Sequence, residues 1–319
     1  MSLEHLALGP VREFDVIRGI AARLGTTGVG LGDDCAVVTV GGTTLAISVD
    51  ASVEGVHFRT EWFTYEEIGW RACVAALSDL AADGARPIGV LVSLGGPADR
   101  DPNTRRLDLE AIMGGVAGAV AAVDAKVLGG DLVRSEKYLV DVCAIGTCER
   151  AVRRSGARIG DGVWVTGELG GPRLALRAWQ AGQRPGGDVA RRFARPEARI
   201  AAGLWLAKHG ATAMIDVSDG LTSDARHLAA ASKVGVEIQL ERVPCLLGAD
   251  ALVAVASGEE YELLAVMPPS FGAPQAQAFQ EFHDLQLTRV GSCVAGEGVR
   301  ITDRGVAITA PRGYDHFGA

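Results

Sequence analysis

The sequence predicts two α+β domains, one over residues 1–150 and one over 151–319. Three observations carry this. At 319 residues the chain exceeds one ordinary core, since a domain takes roughly 100–200 residues. Strand-like and helix-like segments are mixed without the strict alternation of a doubly wound sheet. After Gly160-Asp161-Gly162 the order of those segments changes, which sets the boundary near residue 150.

Residues 11–24 (VREFDVIRGIAARL) space their apolar side chains at helical intervals, and a glycine-rich link from Gly25 to Gly32 follows. Cys35–Val40 and Thr44–Val49 read as short strands, the second ending on Asp50. Thr64-Tyr65-Glu66-Glu67 is a capping box: the Thr and the Glu three residues on each satisfy a free backbone N–H, opening a helix to about Ala82. Pro87–Leu94 returns as a strand and Leu107–Val123 as a helix rich in small residues. Gly129-Gly130-Asp131 alone reads as a turn, and Lys137–Cys148 alternates like a half-buried strand. In the second half, Val163–Thr166 is a strand leading through Gly167–Pro172 into helical segments near 173–181 and 196–208. Ile215–Val217 runs into Ser218-Asp219-Gly220 and a helix to about Ser232. Val236–Leu240, Glu262–Val266 and Leu285–Val290 are further strands.

A hydrophobic share of 48% with 22% charged residues describes an ordinary globular chain, and 42 glycines suit one with many tight turns. The net charge of −8 argues against a nucleic-acid partner, which needs a basic face to displace counterions. Phosphates remain accessible to such a protein if divalent cations bridge them. The six cysteines form no C-x-x-C pair and read as buried free thiols in a reducing compartment. No signal peptide and no run of about 18 uncharged apolar residues is present, so the expected location is cytoplasmic, without a membrane partner.

Aspartates gather where elements begin and end. Asp33 and Asp34 stand side by side before a strand, Asp50 ends one, and Asp79 lies late in a helix. Asp131 follows two glycines, and Asp216 and Asp219 flank Ser218. Taken singly these have ordinary readings: Ser218 or Asp219 caps the next helix, and Asp79 faces solvent. Together, six or more carboxylates with no matching lysine or arginine near them in sequence would repel if they converged. An oxygen-only cluster is what Mg²⁺ binds, shared with phosphate oxygens and water. No histidine spacing suits zinc, and both the P-loop pattern and the H-R-D and D-F-G kinase elements are missing. If ATP binds here, metals must do what a P-loop does elsewhere.

Eight ordered segments carry a family resemblance: GLGDDCAVV, SVDASVEGVHF, ALSDLAADGARP, LGGD, RRSGARIGDGVWVTGELG, IDVSDGLTSDARHLAAAS, SGEEYELL and GYDHF. Together they resemble thiamine-monophosphate kinase, of the aminoimidazole ribonucleotide synthetase superfamily, over roughly residues 11–317. The resemblance implies an N-terminal mixed or antiparallel sheet domain that binds ATP and magnesium and pairs two copies into a homodimer, with a C-terminal α+β domain. It implies ATP-dependent phosphorylation of thiamine monophosphate to thiamine diphosphate, assisted by several Mg²⁺. By motif, Asp34, Ser48, Asp50, Asp79, Asp131, Asp216 and Asp219 match metal ligands. Gly130, Asp131, Arg154 and Ser218 match ATP contacts, and His57, Glu259 and Tyr314 match positions that hold the acceptor.

The chain departs from the family pattern in GGDLVRSE, in ELGGP (where Gly171 replaces a customary aspartate), in SGEEYEL and in Tyr314, a common tryptophan position. The acid set survives. The implied chemistry needs no general base, since the acceptor phosphate is already an anion, and no covalent phosphoenzyme. Two other readings stay open: a superfamily enzyme with a different acceptor, and a non-catalytic nucleotide-binding homologue.

Overall fold

The structure, a computed structural model, describes residues 12–28, 31–309, 311, 313 and 314. The closing Asp315-His316-Phe317 of GYDHF and the Gly30 of GLGDD lie outside the described residues.

Helix α1 (Arg12–Leu24) precedes a five-stranded sheet of β1 (Ala36–Val40), β2 (Thr43–Val53), β3 (Arg86–Pro97), β4 (Lys126–Ser135) and β5 (Leu139–Cys148). The order is β1-β2-β5-β3-β4, antiparallel except for the parallel β3–β4 pair. Helix α2 (Tyr65–Ala82) begins where its sequence demands: Thr64 and Glu67 form the reciprocal capping box. Almost everything from Ile68 to Ala82 is then buried, because α2 is wedged between the first sheet, α3 (Pro102–Ala122) and the second half of the chain. Helix α3 starts five residues before the apolar pattern at Leu107, since Asp101 caps it by accepting from Asn103 N and Thr104 N.

Gly129-Gly130-Asp131 lies within strand β4, not in a turn. Nine of the ten β4 residues are exposed, so no apolar alternation marks the strand. Its glycines answer to a close approach instead: a Cβ on Gly130 would stand 1.9 Å from Val92 O of β3. The faces of the sheet differ. Ala46, Ser48 and Ser52 of β2 turn inward and are buried, whereas Val49, at 66% exposure, points the other way. Leu91 and Val133 share that open outer face.

The second sheet contains β6 (Gly162–Thr166), β7 (Ala213–Asp216), β8 (Gly235–Gln239), β9 (Leu263–Met267), β10 (Leu287–Val294), β11 (Gly298–Asp303) and β12 (Val306–Ile308). Its order is β12-β11-β8-β10-β6-β9-β7. Around it lie α4 (Gly171–Gln180), α5 (Gly187–Ala194), α6 (Ile200–Lys208), α7 (Leu221–Ser232), α8 (Ala251–Val255) and α9 (Ala273–His283). Helix α9 escaped sequence reading because it buries only Phe279. One core joins the halves, with Leu77 and Leu80 of α2 packed in the same cluster as Leu206, Met214 and Tyr261. A second core lies between the second sheet and α7.

Candidate active site

Strand β2, helix α2 and strand β7 deliver the acids. Ser48 and Asp50, two residues apart, share the inward face of β2. Beneath them Ser48 Oγ donates to Asp79 Oδ2. One helical position earlier, Ser78 Oγ donates to Asp216 Oδ2 at 2.7 Å. The carboxylates of Asp34, Asp79 and Asp216 each bring an oxygen within 4.8 Å of the others.

Burial and mutual repulsion dominate this cluster. Burial holds Asp79 well above the usual carboxylate range, with the Asp216 and Asp34 charges adding to the effect. Asp216 is pushed up to about 7, first by burial and then by Asp34. Asp34 has a fully buried side chain, and burial raises its pKa even against Arg154, whose Nη2 lies 2.6 Å from Asp34 Oδ1. Asp34 Oδ2 has no hydrogen-bond partner among the described residues. An oxygen-only, mutually repelling set with an orphan buried oxygen suits a hard divalent cation. The positive charge that sequence proximity does not supply comes from far along the chain, as Arg153 and Arg154 reach Asp33 and Asp34.

A cavity of about 710 Å³ opens on Asp79 and Asp216, whereas Asp34, Ser48 and Arg154 are not among its lining residues. Asp50, Asp79, Asp216, Ser218 and Asp219 line it, and so do the predicted acceptor residues His57, Glu259 and Tyr314. His57 Nδ1 accepts from Val53 N at 3.1 Å, which leaves the ring proton on Nε2. Tyr314 is anchored by its backbone N–H, which donates to Asp219 O at 3.0 Å. Glu259 sits at φ +57°, its N–H donating to Ser218 O at 2.7 Å, so the Glu259 wall of the cavity and the Ser218 loop are tied together.

Gly130 and Asp131 lie elsewhere. In register, Asp131 pairs with Ser93, Ser93 with Asp141, and Asp141 with Ala51. Three strand spacings put Asp131 about 14 Å from β2, on the face opposite Ser48 and Asp50. The chain's own fold therefore does not bring it to the other acids. Asp219 groups instead with Asp224 and His227, and burial drops the His227 pKa to about 3.

Sequence reading missed Arg71. Its guanidinium, only 5% exposed, lies 4.7 Å from the Phe63 ring and 4.5 Å from the Phe193 ring. It donates to Glu259 Oε1 at 2.6 Å and to Phe193 O. The available signal was a lone cation inside the otherwise apolar stretch Ile68–Leu77 of α2.

Residues 32–148 match the family model of AIR synthase related protein, N-terminal domain, and residues 158–304 match its C-terminal domain. Two sheet-bearing halves that meet at a buried acidic cluster and match both models thus define an AIR synthase-related protein. The chain is 34% identical over 301 residues to the thiamine-monophosphate kinase of Aquifex aeolicus (strain VF5), covering 90% of this chain and 92% of that one. It is 36% identical to the thiamine-monophosphate kinase of Halobacterium salinarum, covering 85% and 90%. A solved structure, AaThiL complexed with AMPPCP and TMP, superposes with a TM-score of 0.84 at 33% identity over 99% of each chain. The chain belongs to the thiamine-monophosphate kinase family.

Proposed function

We infer that the protein transfers the γ-phosphoryl group of ATP to the phosphate of thiamine monophosphate, forming thiamine diphosphate. One observation carries the reading: a single cavity is lined by Asp50, Asp79, Asp216 and Asp219 together with His57, Glu259 and Tyr314. Asp34, Ser48, Asp50, Asp79, Asp216 and Asp219 would hold Mg²⁺, whose charge neutralises the phosphates and lines them up for in-line transfer. Arg154 and Ser218 contact the nucleotide. His57 donates from Nε2, Glu259 accepts from the acceptor while Arg71 fixes its other side, and Tyr314 stacks on a ring.

The assembly in this reading is a homodimer formed through the outer face of the first sheet. Val49, Leu91 and Val133 leave apolar side chains open on that face, and β4 is an exposed edge strand, both of which call for cover. Gly130 and Asp131 lie on β4 and reach ATP only from a second copy. We place the protein in the cytoplasm, a reading supported by six free cysteines. Among the described residues no helix is long and apolar enough to cross a membrane.

Purified protein incubated with ATP, Mg²⁺ and thiamine monophosphate should yield thiamine diphosphate, with unphosphorylated thiamine as the control acceptor. ATP binding without that product, or a faster reaction with another acceptor phosphate, would overturn the reading.

A further inference from the structure

We propose that Asp33, Asp34 and Asp83 form a second divalent-cation site, adjoining the phosphoryl-transfer cluster through Asp34. Asp83 follows α2 as its C-cap residue. It is fully buried, and neither of its carboxylate oxygens has a hydrogen-bond partner among the described residues. Its backbone is fully engaged: the N–H donates to Asp79 O at 3.0 Å, and the C=O accepts from Val152 N at 3.0 Å. The side chain is thereby fixed in place with nothing to satisfy it.

Its neighbours are acids too. One ligand oxygen from each of Asp33, Asp34 and Asp83 lies within 4.8 Å of the others, a spread that oxygens about 2.0–2.6 Å from one ion can have. Asp33 accepts from Arg154 N at 2.9 Å and from Arg153 Nη1 at 3.3 Å, and Arg154 covers Asp34 Oδ1. Two guanidinium groups thus face three carboxylates; their charge reaches Asp83, but neither bonds it directly. The C-terminal end of α2 adds its own negative pole there.

Three buried oxygens, both of Asp83 and Oδ2 of Asp34, therefore stand without partners. A proton shared between two acids pairs two of those oxygens and leaves the third. A cation can take all three, with Asp33 as a further ligand through its remaining lone pairs. The donors are all oxygen, which selects a hard divalent ion over a soft one. The site requires no nucleotide, and it stands whether or not the acceptor is thiamine monophosphate.

Mn²⁺ binding to the full-length protein without nucleotide, followed by electron paramagnetic resonance and competed with Mg²⁺, tests this. Asp83→Asn should bind one Mn²⁺ per chain fewer than wild type. Asp79→Asn should keep that ion and lose binding at the phosphoryl-transfer cluster. Unchanged stoichiometry in Asp83→Asn would overturn the proposal and leave Asp83 a protonated acid. Loss in Asp83→Asn without loss in Asp79→Asn would support this site while refuting the metal role of Asp79. Should Asp83→Asn fail to fold by circular dichroism, Asp33→Asn decides: one ion fewer supports the site, and unchanged stoichiometry overturns it.

Discussion

Arg154 and Asp34, 120 residues apart in the chain, meet at 2.6 Å in a pocket where the carboxylate is fully buried. The acidic turn of the N-terminal half is thus closed by a cation from the C-terminal half. Asp34 is held in place before any ligand arrives, and a ligand that takes Asp34 also loosens Arg154.

Charge relief on removing an acid should therefore appear at Asp79, not at Asp34. Asp79 has a hydroxyl, Ser48, against it and the charges of Asp216, Asp34 and Asp50 around it. Asp79→Asn should melt higher than wild type in EDTA, yet lose about 100-fold or more in turnover, the range a single electrostatic stabiliser supplies. Asp34→Asn should melt lower, because it strips a mostly buried Arg154 of its partner. Calorimetry and steady-state assays check both, and near-normal turnover in Asp79→Asn refutes the metal-anchor role.

Tyr314 lines the cavity, and its backbone is tied to Asp219. Tyr314→Ala should weaken acceptor binding by about 1 kcal/mol, roughly fivefold, and leave the KM for ATP unchanged. Equal losses for both substrates would point to misfolding of the Asp219 loop.

Stability should also depend on Glu260, whose carboxyl accepts from Gly170 N and is pushed up to about 8 chiefly by burial. A carboxyl raised in the folded state favours folding while protonated. Its contribution is full below about 4.5 and lost as pH rises through about 8. The melting temperature should fall between pH 5 and pH 9, values spanning that window, and Glu260→Gln should shrink the fall by removing one such acid. An identical pH profile in the variant would rule Glu260 out as a contributor.

Val49 points outward from the first sheet at 66% exposure. If the proposed homodimer forms through this face, Val49→Lys should leave the fold intact, halve the mass seen by light scattering and lower activity by withdrawing Asp131 from the second copy. An unchanged mass, or a monomeric mass for the wild type, would overturn the proposed dimer through this face.

Local signals carried much of the architecture. The Thr64–Glu67 capping box marks the start of α2, and alternation marks β5. The convergence of Asp34, Asp79 and Asp216 was legible as a set of acids at element ends, because like charges so placed need a common purpose. Strand β4 was not legible, since exposure erases the apolar alternation on which strand reading depends. Nor were the Arg154–Asp34 and Arg71–Glu259 pairs, which span 120 and 188 residues. The face on which Asp131 lies follows from strand register, which no local pattern encodes.

Helix α2 carries Arg71, which braces Glu259, the proposed acceptor contact, and Asp79, which belongs to the acidic cluster. Eight residues of helix separate them by about 12 Å, at a rise of about 1.5 Å per residue. The rod is buried along this length, so that spacing cannot relax when an acceptor enters. If Glu259 holds the acceptor and Asp79 a cation, as proposed, the helix is a ruler: a phosphate ester would be accepted only if its recognised ring and its phosphate are the right distance apart. Selection by length in this way would discriminate among acceptors that share the same phosphate, without any contact to the atoms between.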